Sequence, residues 1–237
     1  MPAHLYIRGN KMKYNKTVKA TFIERPNRFV AKVKLDGEEI YCHVKNTGRC
    51  RELLVPGATV WLEDSENPAR KYRYSLVTVK KGERLVNMDS QAPNKAVGEW
   101  LSGGGYFKNI KLLKPESKYG SSRFDFYCEH EDKKTFIEVK GVTLENDNVV
   151  SFPDAPTERG ARHVSELSEC IKEGYEAYII FVVQMKDVLY FKPNSVNDPV
   201  FATALKSAKK AGVNIIAVDC NVTDKEMIIK DFIDVKI

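Results

Sequence analysis

Apolar and polar residues alternate one by one through much of the first ninety positions. RFVAKVKL (28–35) sets Phe29, Ala31, Val33 and Leu35 against Arg28, Val30, Lys32 and Lys34, and KYRYSLVTVKK (71–81) repeats the same period. A period of two marks strands with one face buried. The tripeptide DGE turns the first of these runs into EIYCHV (39–44) as a hairpin, and ATVWLED (58–64) adds another strand. About five short strands between residues 16 and 88 predict a small barrel or sandwich. NTGRCRELLVPG (46–57) interrupts the alternation and reads as a turn and a short helix stopped by Pro56 and Gly57. Five strands with one intervening helix outline an OB-fold, a barrel whose open face often holds nucleic acid.

From about residue 91 the period lengthens. NKAVGEWL (94–101) is a short helix broken by GGG, and strands follow at 109–113, 123–128, 134–140 and 177–184. In TERGARHVSELSECIKEG (157–174), Ala161, Val164, Leu167 and Ile171 recur at helical spacing up to Gly174. FATALKSAKKAG (201–212) is another helix, ended by Gly212 and followed by the apolar run VNIIAVDC. Helices alternating with strands give an α/β layout, a sheet covered by helices. The expected fold class is therefore a two-domain α+β and α/β protein. Its parts are an OB-fold β-barrel at 12–90 and an α/β domain at 91–237.

Composition sets the class of molecule. Hydrophobic residues make up 43% and charged residues 30%, as in soluble globular proteins. The apolar run AYIIFVV (177–183) is strand-sized, so no membrane association is expected. The N-terminus MPAHLYIRGNKMKYNK is basic without an apolar stretch, so no signal peptide is expected, and Met12 is an alternative start. Five cysteines without a CxxC pair, and four histidines without an HxxxH pair, argue against a disulfide framework and a zinc site. Free thiols in a reducing cytoplasm are the simpler reading. Residues 1–90 carry 18 Lys and Arg against 10 Asp and Glu, a net +8, whereas the remaining 147 residues carry 20 against 22, a net −2. A basic first module predicts a polyanionic partner bound through counterion release, with a merely solvated surface as the alternative.

Candidate chemistry lies in the second module. TFIEVK places Phe136, Glu138 and Lys140 on one strand face. The preceding strand SRFDFYC carries Asp125 with Phe124 and Phe126 facing away from it, and the short link EHEDKK makes the two strands a hairpin. Asp125 and Glu138 then sit side by side with Lys140 next to them. Two carboxylates and a lysine suit phosphodiester hydrolysis with Mg2+ or Mn2+: the carboxylates give a hard cation oxygen ligands, and the lysine orients or deprotonates a water. The order Asp…Glu-x-Lys is that of the PD-(D/E)xK nucleases. An exposed strand with a solvated ion pair is the alternative. Glu99 is a further candidate metal carboxylate, or an ordinary exposed helical glutamate.

Asp154 in FPDAPTERG reads, with Thr157, as a helix-capping cluster rather than the first half of a PD motif. The helix face carrying Arg159, Arg162 and His163 is a candidate for meeting a phosphate. In the basic module, Arg49 and Arg51 precede a helix start whose amides could hold a phosphate. Arg70, Lys71 and Arg73, interleaved with Tyr72 and Tyr74, fit a surface for charge and stacking. Surface turns and buried tyrosines are the alternatives.

HVKNTGRCREL (43–53), RKYRYSLV (70–77), VNMDSQAPN (86–94), RFDF (123–126), FIEVKGVTL (136–144), FPDAPTERGARH (152–163) and FKPNSVNDPVFATAL (191–205) together resemble the sugar fermentation stimulation protein A family. The resemblance spans nearly the whole chain from about Met12. It implies an N-terminal OB-fold joined to a PD-(D/E)xK nuclease-like domain, with DNA binding without sequence preference as the activity. It also implies that Asp125, Glu138 and Lys140 form the nuclease-like constellation and that NTGR belongs to the binding surface. The expected partner is DNA, and either a monomer or a homodimer is compatible with the sequence. The alternative function is a non-catalytic DNA-binding regulator of sugar (maltose) metabolism that retains a nuclease scaffold.

Overall fold

The computed structural model describes residues 12–237, so the readings of the N-terminus as an extension without a signal peptide fall on residues outside the described ones. Its first module is a closed barrel. Strands β1 (Thr17–Asn27), β2 (Val30–Leu35) and β3 (Glu38–Val44) form an antiparallel meander. β4 (Thr59–Asp64) pairs with β1, and β5 (Tyr74–Lys81) pairs antiparallel with β4 and parallel with β3, which closes the circuit. β6 (Arg84–Asn87) extends the sheet beside β5. The Asp36–Gly37 turn between β2 and β3 has positive φ at both positions, 51° and 90°, the twist that a two-residue hairpin requires.

Alternation builds the barrel core from Ala31 and Val33, Cys42 and Val44, and Val60 and Leu62, all buried. Phe29 departs from the pattern: it precedes β2 and is 49% exposed. In β5 the residues from Ser75 to Val79 are buried on both faces, because one face fills the barrel and the other meets the second module. The helix expected within 46–57 does not form. Cys50 sits at φ 46°, outside the helical region, and the segment runs through turns. Arg25 orders it instead, its guanidinium donating to the carbonyls of Arg28, Asn46, Gly48 and Arg49 at 2.6–2.8 Å.

The second module is a nine-stranded mixed sheet with helices on both faces. Its elements are α1 (Ala92–Ser102), β7 (Ile110–Tyr119), β8 (Ser122–His130), β9 (Lys133–Val142), β10 (Leu144–Asn146), β11 (Val149–Phe152), α2 (Glu158–Lys172), β12 (Glu176–Val183), β13 (Tyr190–Pro193), α3 (Pro199–Lys210), β14 (Asn214–Val222) and β15 (Met227–Val235). The strand order is β10-β11-β13-β15-β14-β12-β9-β8-β7, with β9, β12 and β14 parallel at the centre. β12 is buried from Ala177 to Val183 because its two faces feed different cores. Ile179 and Phe181 pack with Val164, Leu167 and Phe201 of α2 and α3, whereas Tyr178, Ile180 and Val182 pack with Ala96, Val97 and Leu101 of α1.

The modules are stitched together by polar groups. The Gln184 amide, 1% exposed, donates to the carbonyls of Asn87 and Asp89 and to the Asn87 side chain. Before entering the barrel the chain crosses the second module. Tyr14 N–H donates to Lys225 C=O at 2.7 Å, and Met12 and Tyr14 are buried in the core around α1. The five cysteines are unpaired and buried, Cys42, Cys50 and Cys170 in one core and Cys128 and Cys220 in the other. Among the described residues no helix is long and apolar enough to cross a membrane.

Candidate active site

The hairpin of β8 and β9 sets Tyr127 opposite Phe136 and Phe126 opposite Ile137, and the ladder ends there. Beyond it the strands diverge. Phe124 joins Phe136 in the α2 layer, with ring centroids 5.5 Å apart, while Phe126 packs in the α1 layer. The two phenylalanines therefore enter opposite layers instead of sharing a face. Asp125 occupies the gap that this leaves. Its Oδ2 accepts the Val139 N–H at 2.7 Å, replacing a ladder bond, and its Oδ1 accepts from Asn94 Nδ2 at 2.6 Å.

On β9, period two carries Glu138 and Lys140 to the α2 side. Glu138 is 3% exposed, and its Oε1 takes two charge-assisted bonds of 2.6 Å, from Lys140 Nζ and from His163 Nδ1 on α2. Arg159 Nε donates to His163 Nε2 at 3.4 Å, so the ring proton sits on Nδ1 and points at the glutamate. Glu138 Oε2 is buried with no hydrogen-bond partner. Burial works to raise the Glu138 pKa, but the His163 hydrogen bond and Lys140 together outweigh it and hold the carboxyl below its ordinary value. Burial and the neighbouring Glu138 charge push Asp125 up to about 6, against the Val139 amide, Lys140 and Asn94. The surroundings of the two carboxylates thus shift them in opposite directions.

These residues fit a hard divalent cation. A buried carboxylate oxygen without a protein partner is open to a cation or a water, and two carboxylates plus water suit Mg2+ or Mn2+. Among the described residues no group of three or more His, Cys, Asp or Glu gathers into a fuller cage.

Several expected contributors stand elsewhere. Glu99 lies five residues beyond Asn94 on α1, about 140° around the helix, and its carboxylate accepts the Met12 N–H at 3.0 Å. It tethers the N-terminal segment and is not brought to the pair. His163, expected to meet a phosphate, is instead the partner of Glu138, while Arg159 and Arg162 remain exposed on the same helix. The cap of α2 is Thr157, whose hydroxyl accepts from Gly160 N–H at 3.0 Å. Asp154 does not cap. Its Oδ2 accepts the backbone N–H groups of Arg49 and Cys50 across the module boundary, so those amides are not open to a phosphate. Arg49 and Arg51 border an inter-module cleft of about 480 Å3.

Arg70, Lys71 and Arg73 form a separate patch on the barrel. Arg73 is bidentate to buried Asp64 at 2.6 and 2.9 Å, Arg70 reaches Ser75 Oγ at 3.2 Å, and Lys71 lies 5.3 Å above the Tyr72 ring. Sequence reasoning missed Asn94, Arg25 and Gln184. No local pattern marks a lone amide or arginine whose partners lie on other elements.

Comparison with known proteins agrees with this architecture. The family model described as the sugar fermentation stimulation protein RE domain matches residues 91–226, and the SfsA N-terminal OB domain matches residues 23–88. A sugar fermentation stimulation protein homolog of Clostridium beijerinckii is 58% identical over 224 residues, covering 94% of this chain and 99% of its own length. The homolog of Ruminiclostridium cellulolyticum is 55% identical over 226 residues, covering 95% of this chain and 100% of its own. The solved structure titled as Pyrococcus furiosus SfsA in complex with Ca2+ superposes with a TM-score of 0.86 at 27% identity, over 97% of this chain and 100% of that one. The barrel, the helix-covered sheet and these identities together place the chain in the sugar fermentation stimulation protein family.

Proposed function

We propose that the protein is a cytoplasmic, divalent-cation-dependent nuclease that binds DNA through its basic barrel and hydrolyses phosphodiester bonds at Asp125, Glu138 and Lys140. The observation that carries this reading is that Glu138, paired with Lys140 through Oε1 and close enough to Asp125 for their charges to interact, keeps its other oxygen, Oε2, buried without a hydrogen-bond partner. The Pyrococcus furiosus relative is described as a complex with Ca2+, which supports the binding of a hard cation by this fold.

Asp125 and Glu138 would hold Mg2+ or Mn2+, which when bound neutralises phosphate charge and makes a water more acidic. Lys140, held against Glu138 at 2.6 Å, orients the water or steadies the charge that develops on the phosphate. His163 holds Glu138 in place through Nδ1 and leaves Oε2 free. The free buried thiols suit a reducing compartment.

The test is incubation of end-labelled single- and double-stranded DNA with Mg2+ or Mn2+. Wild type should cut, Lys140→Ala should lose about 10²- to 10⁴-fold, and Asp125→Asn should show no cleavage with either cation. Binding without cleavage, unchanged by Asp125→Asn, would instead establish a non-catalytic DNA-binding regulator.

A further inference from the structure

The seam between the modules holds two adjoining clefts. One, of about 380 Å3, has Arg28 and the 46–48 turn on its barrel wall. Its opposite wall includes Gly141, the residue after Lys140, and Thr157, the cap of α2. The other, of about 480 Å3, is bordered by Arg49, Arg51 and Lys192. Leu144, Ser151 and Asp154 border both, so the two are compartments of one groove. The groove runs from three cations to the residue beside Lys140. Asp154 is its one acidic lining residue, and its carboxylate is already turned onto two backbone amides.

Next to Arg28, outside the groove lining itself, stands an aromatic ring that the strand pattern had assigned to the core. Phe29 is 49% exposed, with the Arg28 guanidinium 5.4 Å from its ring centroid. Its backbone is fixed on both sides: Asn27 Oδ1 accepts the Phe29 N–H at 2.9 Å, and Arg25 donates to the Arg28 carbonyl at 2.7 Å. An exposed ring held still beside a cation is a platform for a nucleobase.

We propose that this groove carries one unpaired nucleic-acid strand. Arg49, Arg51 and Lys192 take its phosphates, Phe29 stacks a base, and the strand passes Gly141 to reach Glu138 and Lys140; only that last step rests on the nuclease reading. Two observations favour a single strand over a duplex. Each compartment has the volume that encloses one small ligand, the scale of a nucleotide. Inside a duplex each base face is covered by its neighbours, so Phe29 could reach only a terminal pair.

The test uses the full chain carrying Asp125→Asn, so that nothing is cut, and fluorescence anisotropy with labelled oligothymidine and with a blunt duplex of equal length. The single strand should bind at least about tenfold tighter, and Phe29→Ala should remove about tenfold while Phe29→Trp retains the affinity. Lys192→Gln should reduce the slope of log K against log salt by about 0.7. Equal affinity for the duplex, or Phe29→Ala and Lys192→Gln proteins that bind like their parent, would overturn the inference. Cation-dependent cleavage by the Asp125 protein that is indifferent to both substitutions would also overturn it and leave the nuclease reading standing. Groove-dependent binding without cleavage would do the reverse.

Discussion

Asp125 and Glu138 sit on neighbouring strands, yet their surroundings drive their pKa values in opposite directions, and this gives a measurable pH dependence. Unfolded, Asp125 should titrate near about 3.9; folded, at about 6, it holds its proton more tightly. The folded state is therefore favoured at low pH and loses that advantage as the pH rises from about 4 to about 6, a change of roughly 3 kcal/mol. Chemical denaturation in EDTA should show the stability of wild type relative to Asp125→Asn falling by that amount across the window; a difference constant with pH would refute it. Glu138 and Lys140 were legible as one strand face because period two determines it, and the short hairpin brought Asp125 near them. The end of the ladder at Phe126, which turns Asp125 onto the Val139 amide, was not legible. His163 was legible as a helical residue but not as a partner of Glu138, since 25 residues separate them and only the packing of α2 against β9 brings them together. Asp154 was misread because capping is a local signal, whereas the amides it binds are 104 and 105 residues away.

At the scale of elements, the site depends on a strand pair that stops pairing and a helix that starts in the right place. Thr157 caps α2 two turns before His163 meets Glu138, so Thr157→Ala should cost about 1 kcal/mol in thermal unfolding. An unchanged melting temperature would show that the cap carries no weight. The long elements were readable from periodicity. The short β10–β11 hairpin and four-residue β13 were not, because runs of three or four residues show no period, although Asp147 and Asn148 supply the positive φ of its turn. The helix expected at 46–57 failed for a tertiary reason. Arg25 collects four carbonyls of the surrounding loops and Asp154 collects two amides, and the turn they hold competes successfully with helix formation.

Over the whole molecule, one continuous core includes Phe22, Val33 and Leu62 of the barrel together with Phe136, Ile179 and Phe201 of the second module. Gln184 and the Met12–Tyr14 segment add polar and apolar ties across the boundary. Calorimetry should accordingly give one cooperative transition, with equal calorimetric and van't Hoff enthalpies; two resolved transitions would show that the modules melt independently. The change of period near residue 90 marked two patterns of folding, but it could not show that Met12 and Tyr14 are buried with α1, because three residues carry no periodicity. The buried cysteines turn this architecture into a set of internal clocks. Each thiol is 0–1% exposed, and burial pushes those of Cys42, Cys50, Cys128 and Cys170 up to about 12, so alkylation has to wait for the chain to open around it. Cys170 and the barrel thiols time the loosening of the α2 side and Cys128 and Cys220 that of the α1 side, so the order in which iodoacetamide reaches them reads out which layer of the sheet lets go first.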